Sequence, residues 1–138
     1  VNTGSDSGFI FQLYGFAYIR EMELLREAGF HPLEVIRAAT LSGAETLKMD
    51  DKIGTVEVGK FADMVLVDSN PLENLKVLYG TGAIKLNENN EVERGGGVKY
   101  TISNGVIYDS KGLLNQVKMM VDKAKKEEGF EIKQPGVN

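Results

Sequence analysis

Four residues, Gly29-Phe30-His31-Pro32, constrain the first third of this chain more than any other feature. Upstream of them Leu13, Phe16, Ala17, Met22 and Leu25 can share one broad apolar side, while Arg20, Glu21, Glu23, Arg26 and Glu27 supply charge elsewhere. That spacing predicts an amphipathic helix over 12–28. Gly29 stands where a left-handed residue ends a helix at least cost. Pro32 lacks only an N–H that a first helical turn leaves free, so a second helix starts there, with His31 as its N-cap. Leu33, Ile36, Ala39 or Thr40, Gly43, Ala44 and Leu47 then form one stripe, which predicts a single helix over 32–49. Its small residues at Ala38, Ala39, Gly43 and Ala44 permit close approach to a neighbour.

From Asp50 the periodicity changes. Residues 55–58 alternate briefly, and 62–68 (ADMVLVD) is the most strand-like run in the chain. Asn70-Pro71 ends it, and a short helical turn is expected within 72–79. Residues 87–97 (NENNEVERGGG) are polar and glycine-rich and read as a surface loop. Asn104-Gly105, flanked by 98–103 and 106–108, is a two-residue hairpin signal. A last helix is predicted over 111–127, with Leu113, Leu114, Val117, Met120, Val121 and Ala124 on one face. The final ten residues read as a loose tail.

Composition removes several classes of function. A length of 138 residues is one ordinary domain's worth of polypeptide. Sixteen Lys and Arg against twenty Asp and Glu leave a net charge of −4, which offers no basic face to nucleic acid or to an anionic membrane. No apolar run approaches the roughly 18 residues that span a bilayer. Cysteine is absent, which removes disulfides, thiolate metal sites and cysteine nucleophiles, and leaves the compartment unread. The single histidine, His31, rules out a zinc site built mainly from imidazoles of this chain. The sequence opens on Val1, not Met, and the expectation is that a preceding part is missing from it.

Three stretches carry a resemblance. They are Thr3-Gly4-Ser5-Asp6-Ser7, the run 23–47 with Ala38-Ala39-Thr40 followed by Ala44, and 53–71 with Gly54, Val56, Gly59-Lys60 and Ala62-Asp63. In order and spacing they resemble the C-terminal part of the metal-dependent amidohydrolase superfamily, its imidazolonepropionase- and prolidase-like members in particular. The first is similar to the signature that ends the family's eighth barrel strand. The second is similar to its final helices, and the third to the segment leading into its β-sandwich. The resemblance covers about 3–109, with the hairpin at Asn104-Gly105 as the closing strands of that sandwich.

The fold it implies is α/β: the end of a (β/α)8 barrel, meaning the last strand tip and final helices, plus part of a small β-sandwich and a C-terminal helix. The implied division is 1–49 for the barrel end, 50–109 for the sandwich portion and 110–138 for the C-terminal helix and tail. A complete barrel needs about 250 residues, so the expectation is the last third of an enzyme. The family holds its metals with a His-x-His pair, two further histidines, often a carboxylated lysine, and the strand-eight aspartate. Only the last has a matching position here, Asp6. The resemblance therefore implies the C-terminal part of a metal-dependent hydrolase of carbon–nitrogen bonds in amides or cyclic amides. It implies a divalent metal, zinc, in the complete enzyme and none in this piece alone, which would be inactive. The implied substrate is a small amide-type molecule, and Asp6 is implied as both metal ligand and catalytic proton shuttle. Two other readings stay open: a non-catalytic assembly module, and one half of a split enzyme that completes its site in trans. Uncovered strand edges and apolar faces predict self-association in every case.

Other residues invite chemistry and decline it. Ser5 and Ser7 read as loop serines bonding local backbone, with no histidine base nearby in sequence. His31, in a joint between helices, reads as a cap and not as an acid or base. Gly54, Gly59, Lys60 and Asp63 lack the spacing of a phosphate loop, and they read as a turn that Asp63 holds by backbone hydrogen bonds. Gly95-Gly96-Gly97 precedes a strand-like run, so it is no nucleotide fingerprint. The lysines of 118–126 are interrupted by Asp122 and read as a solvated helix face.

Overall fold

A computed structural model describes residues 1–9 and 12–129. The expected C-terminal tail lies outside the described residues, apart from its first, Gly129. Helix α1 runs Phe16–Glu27, four residues later than the apolar spacing predicts. Gly15 sets the start, because its φ of 78° lies in the left-handed region that glycine enters freely and a helix cannot include. Gly29, at φ 100°, follows the helix end as expected.

The predicted single helix over 32–49 is two helices, α2 (Pro32–Ala38) and α3 (Leu41–Leu47). His31 is the N-cap of α2, and the Glu34 carboxylate accepts its backbone N–H at 2.7 Å, half of a capping box. The break falls at Ala39-Thr40, where Thr40 takes φ −135° and ψ −88°. The Thr40 hydroxyl donates to the Ile36 carbonyl at 2.7 Å, a side-chain bond that competes with the helical ladder. Apolar spacing is blind to that competition.

Five strands follow: β1 (Met64–Val67), β2 (Ala83–Leu86), β3 (Val92–Gly95), β4 (Val98–Ser103) and β5 (Val106–Asp109). A 3₁₀ turn, Leu75–Leu78, lies between β1 and β2, as expected for 72–79. Strands β1, β4 and β5 make an antiparallel sheet in that order, while β2 and β3 pair separately. Asn104 and Gly105 both have positive φ, 48° and 80°, the twist that a tight hairpin requires. Asp63 does not hold its own turn. Its carboxylate accepts the Asn104 N–H at 2.6 Å, and Gly105 donates to the Ala62 carbonyl at 3.1 Å. The start of β1 is thereby tied to the tip of the β4–β5 hairpin.

Two other expectations need correction. Residues 55–58 form no strand, because Gly54 and Gly59, both at φ 94°, turn the chain, and Phe61 donates back to Lys52 at 2.8 Å. Nor is 87–97 all loop, since β3 pairs with β2 from Ala83↔Gly95 to Leu86↔Val92. That ladder is largely exposed, so it shows none of the apolar alternation that reveals a strand. Its turn is made by Asn87, whose side-chain oxygen accepts from the N–H groups of Asn89 and Glu91.

Helix α4 (Ser110–Glu128) starts on Asp109, whose carboxylate accepts the Gly112 N–H at 3.1 Å. None of its 19 residues is buried. The core lies among the helices that precede the sheet and the 3₁₀ turn, where Val35 is fully enclosed among Ile19, Met22 and Leu75. Helix α1, helix α2 and the 3₁₀ turn therefore meet on one cluster. Residues 1–6, expected to include a strand tip, lie in no strand among the described residues. A parallel strand exists only against its neighbours. No described helix is long and apolar enough to cross a membrane.

Candidate functional site

Asp6 sits at φ 46°, a left-handed conformation that a short polar side chain tolerates better than most. On either side of it the hydroxyls of Ser5 and Ser7 bond to each other at 2.7 Å. They therefore clip the loop shut, where backbone bonds were expected. The Asp6 side chain is exposed, and it lines an open cleft of about 650 Å³ together with Ser5, Leu13, Phe16, Arg20 and Tyr79.

The floor and wall of that cleft come from α1 and the end of the 3₁₀ turn. Tyr79 donates to the Glu23 carboxylate at 2.8 Å, and its ring lies 5.7 Å from that of Phe16. Glu23, only 14% exposed at its side chain, also has Lys76 at 3.7 Å and Arg20 at 3.9 Å. Burial, then the hydrogen bond and charge of Glu23, push the Tyr79 phenol up to about 12. Tyr79 is therefore a protonated donor at neutral pH and cannot serve there as a base.

Two side-chain ties fix the segment before Asp6. Thr3 donates to the Tyr18 hydroxyl at 2.9 Å, and Tyr18 donates on to the Ala39 carbonyl at 2.7 Å. The Asn2 amide takes the orientation in which its nitrogen donates to the Ser42 carbonyl at 3.1 Å and its oxygen accepts from the Thr46 hydroxyl at 2.7 Å. Sequence reasoning missed both Tyr18 and Tyr79. Their partners stand 15, 21 and 56 positions away, and no local pattern marks such pairs.

The remaining candidates are structural. His31 caps α2 at an exposed position. Gly54 packs against α3, where an added Cβ would lie 2.8 Å from that of Ala44. Gly96, at φ 71°, presses on Val77, with 3.0 Å between an added Cβ and the valine's own. Among the described residues no three of His, Cys, Asp and Glu converge as a metal site. One carboxylate is too few donors for a catalytic zinc, which takes three protein ligands, so these residues do not fit a metal by themselves.

The amidohydrolase family model matches residues 1–108. The chain belongs to that family. A 5′-deoxyadenosine deaminase of Methanobrevibacter smithii is 30% identical over 69 residues, which is 50% of this chain and 16% of that protein. An imidazolonepropionase of Picrophilus torridus is 41% identical over 44 residues, 32% of this chain and 11% of that one. Among solved structures, a Bifidobacterium longum protein assigned as a prolidase superposes with a TM-score of 0.62 at 30% identity, covering 83% of this chain and 26% of its own. A Xaa-Pro dipeptidase with methionine in its active site gives 0.53 at 28%, covering 67% and 18%. The chain thus spans between 11% and 26% of the length of these four amidohydrolase relatives.

Proposed function

We propose that this chain is the C-terminal part of a metal-dependent amidohydrolase that hydrolyses carbon–nitrogen bonds in small amides or cyclic amides. Its division would be 1–49 for the barrel end, 50–109 for a β-sandwich portion and 110–138 for the last helix and tail. Support comes from the match over residues 1–108 and from relatives named as a deaminase, an imidazolonepropionase and a dipeptidase. The observation that carries the reading is Asp6, turned left-handed between two bonded serines at the edge of an open cleft.

A carboxylate held there can take a proton from an attacking water and return it to a leaving nitrogen, the ordinary work of a general acid–base group. The same carboxylate is the one ligand this chain would lend to a metal, zinc in the complete enzyme. The remaining ligands would come from outside these residues, and the chain alone is expected to be inactive. We propose self-association as well, on the strength of the uncovered faces of α4 and of β5.

The test starts with the coding DNA upstream of Val1. An in-frame His-x-His, followed by two spaced histidines, is the expected result. In that complete enzyme Asp6→Asn keeps the size and the left-handed tolerance but loses the proton acceptor. Its kcat is expected to fall by about 10²- to 10⁴-fold. A start or stop codon directly before Val1 with no such motif nearby overturns the intact-enzyme reading. Metal binding by a mixture of this chain and a separate barrel chain, but by neither alone, would then identify a split enzyme. Its absence would leave an assembly module.

A further inference from the structure

We infer that Tyr18 is a positioning residue for Asp6, its hydroxyl tying the loop that carries the carboxylate to the break between α2 and α3. The inference rests on the reading of Asp6 as the site's carboxylate, and it says what keeps that carboxylate in place. Among the described residues, the side-chain bonds of Thr3 and Tyr18 tie the segment before Asp6 to the helices. A phenol has one proton to give and lone pairs to receive, and Tyr18 uses both capacities. It accepts from Thr3 at 2.9 Å and donates to Ala39 at 2.7 Å.

One end of this relay rests on the break between α2 and α3. In an unbroken helix the Ala39 carbonyl would accept the N–H four residues on. The break at Thr40 gives it to Tyr18 instead. The Tyr18 ring packs against the buried cluster around Val35, so the hydroxyl stands on a fixed base. Thr3 is three residues from Asp6, which caps the distance between them at roughly 10 Å of extended chain. Beyond Thr3 the bond between Ser5 and Ser7 closes the loop around Asp6. Tyr18 is not among the residues lining the Asp6 cleft, so it acts through the loop and not on a substrate.

Backbone order measured by ¹⁵N relaxation on this chain tests the tether. In Thr3→Val the hydroxyl is lost at nearly constant shape, while Tyr18 keeps its bond to Ala39. The order parameters of residues 5–7 are expected to fall from the rigid value of about 0.85 to below about 0.6, with those of α1 unchanged. Thr3→Ser restores a hydroxyl and is expected to restore the order. Tyr18→Phe should match Thr3→Val at residues 5–7. Unchanged order at residues 5–7 in Thr3→Val overturns the inference, and so does loosening that Thr3→Ser fails to rescue. Should Tyr18→Phe unfold, the two Thr3 variants decide. The catalytic reading fails separately: Asp6→Asn with undiminished turnover would remove Asp6's role and leave the tether standing.

Discussion

Tyr79 shows how far surroundings can bias one side chain here. Its phenol is pushed up to about 12 because burial and the neighbouring Glu23 both disfavour the charged form. The raised value means the folded state holds its proton more tightly than the unfolded chain, whose tyrosines titrate near 10. The resulting stability is fully present below about pH 10 and is lost as pH climbs from there through about 12. Tyr79→Phe should remove that alkaline loss, giving a flatter stability curve in the window. At neutral pH the variant should be weaker by about 1 kcal/mol, for the lost bond to Glu23. Urea unfolding at a series of alkaline pH values checks both, and an unaltered slope in the variant would exclude Tyr79 as its source. At this scale the sequence was legible where chemistry is local. His31 before Pro32 reads as a cap, and it caps α2. Tyr18 and Tyr79 were not legible, because their roles come from partners brought in by tertiary packing.

Elements are joined in this molecule by glycines whose costs can be separated. Gly54 and Gly59 share a φ of 94°, yet only Gly54 has neighbours within reach of a Cβ. At Gly54 that atom would fall 2.8 Å from the Ala44 Cβ and 3.1 Å from the backbone of Leu41, both in α3. Gly59→Ala should therefore cost only the left-handed backbone, about 1–2 kcal/mol. Gly54→Ala should cost that plus an overpacking penalty of about 1–3 kcal/mol. Denaturation midpoints of the two variants measure the difference, and equal losses would mean α3 yields freely at that contact. The same junctions show why elements were only partly legible. The first helix, expected over 12–28 and found over 16–27, and the Asn104-Gly105 hairpin follow from local spacing and turn chemistry. The break in 32–49 falls at Thr40, whose backbone leaves the helical region, and apolar spacing does not register that. The β2–β3 ladder was hidden because strands exposed on most of their length carry no alternation to read.

For the whole molecule the decisive quantity is how little apolar surface finds cover. Among the described residues only Ile19, Met22, Val35, Ala38, Ala44, Leu75 and Val77 are buried hydrophobics. Five of these belong to the first three helices and two to the 3₁₀ turn, so sheet and α4 contribute nothing to the enclosed core. On α4, Val117 is 56% exposed and Met120 70% exposed, although they sit at the spacing of a buried stripe. Leaving such faces in water forgoes about 25 cal/mol for each Å² that a partner would cover. The proposed self-association should therefore grow with concentration in sedimentation velocity. Placing a charge inside the stripe, as in Val117→Lys or Met120→Lys, should weaken it by tenfold or more while leaving the buried cluster around Val35 intact. Near-ultraviolet circular dichroism would follow that cluster through Phe30, Tyr18 and Tyr79 packed against it. A chain that sediments as a monomer at every concentration would mean the stripe is tolerated bare. Association that ignores both lysines would move the contact to the sheet, where Val106 and Ile107 on the exposed strand β5 are the next candidates.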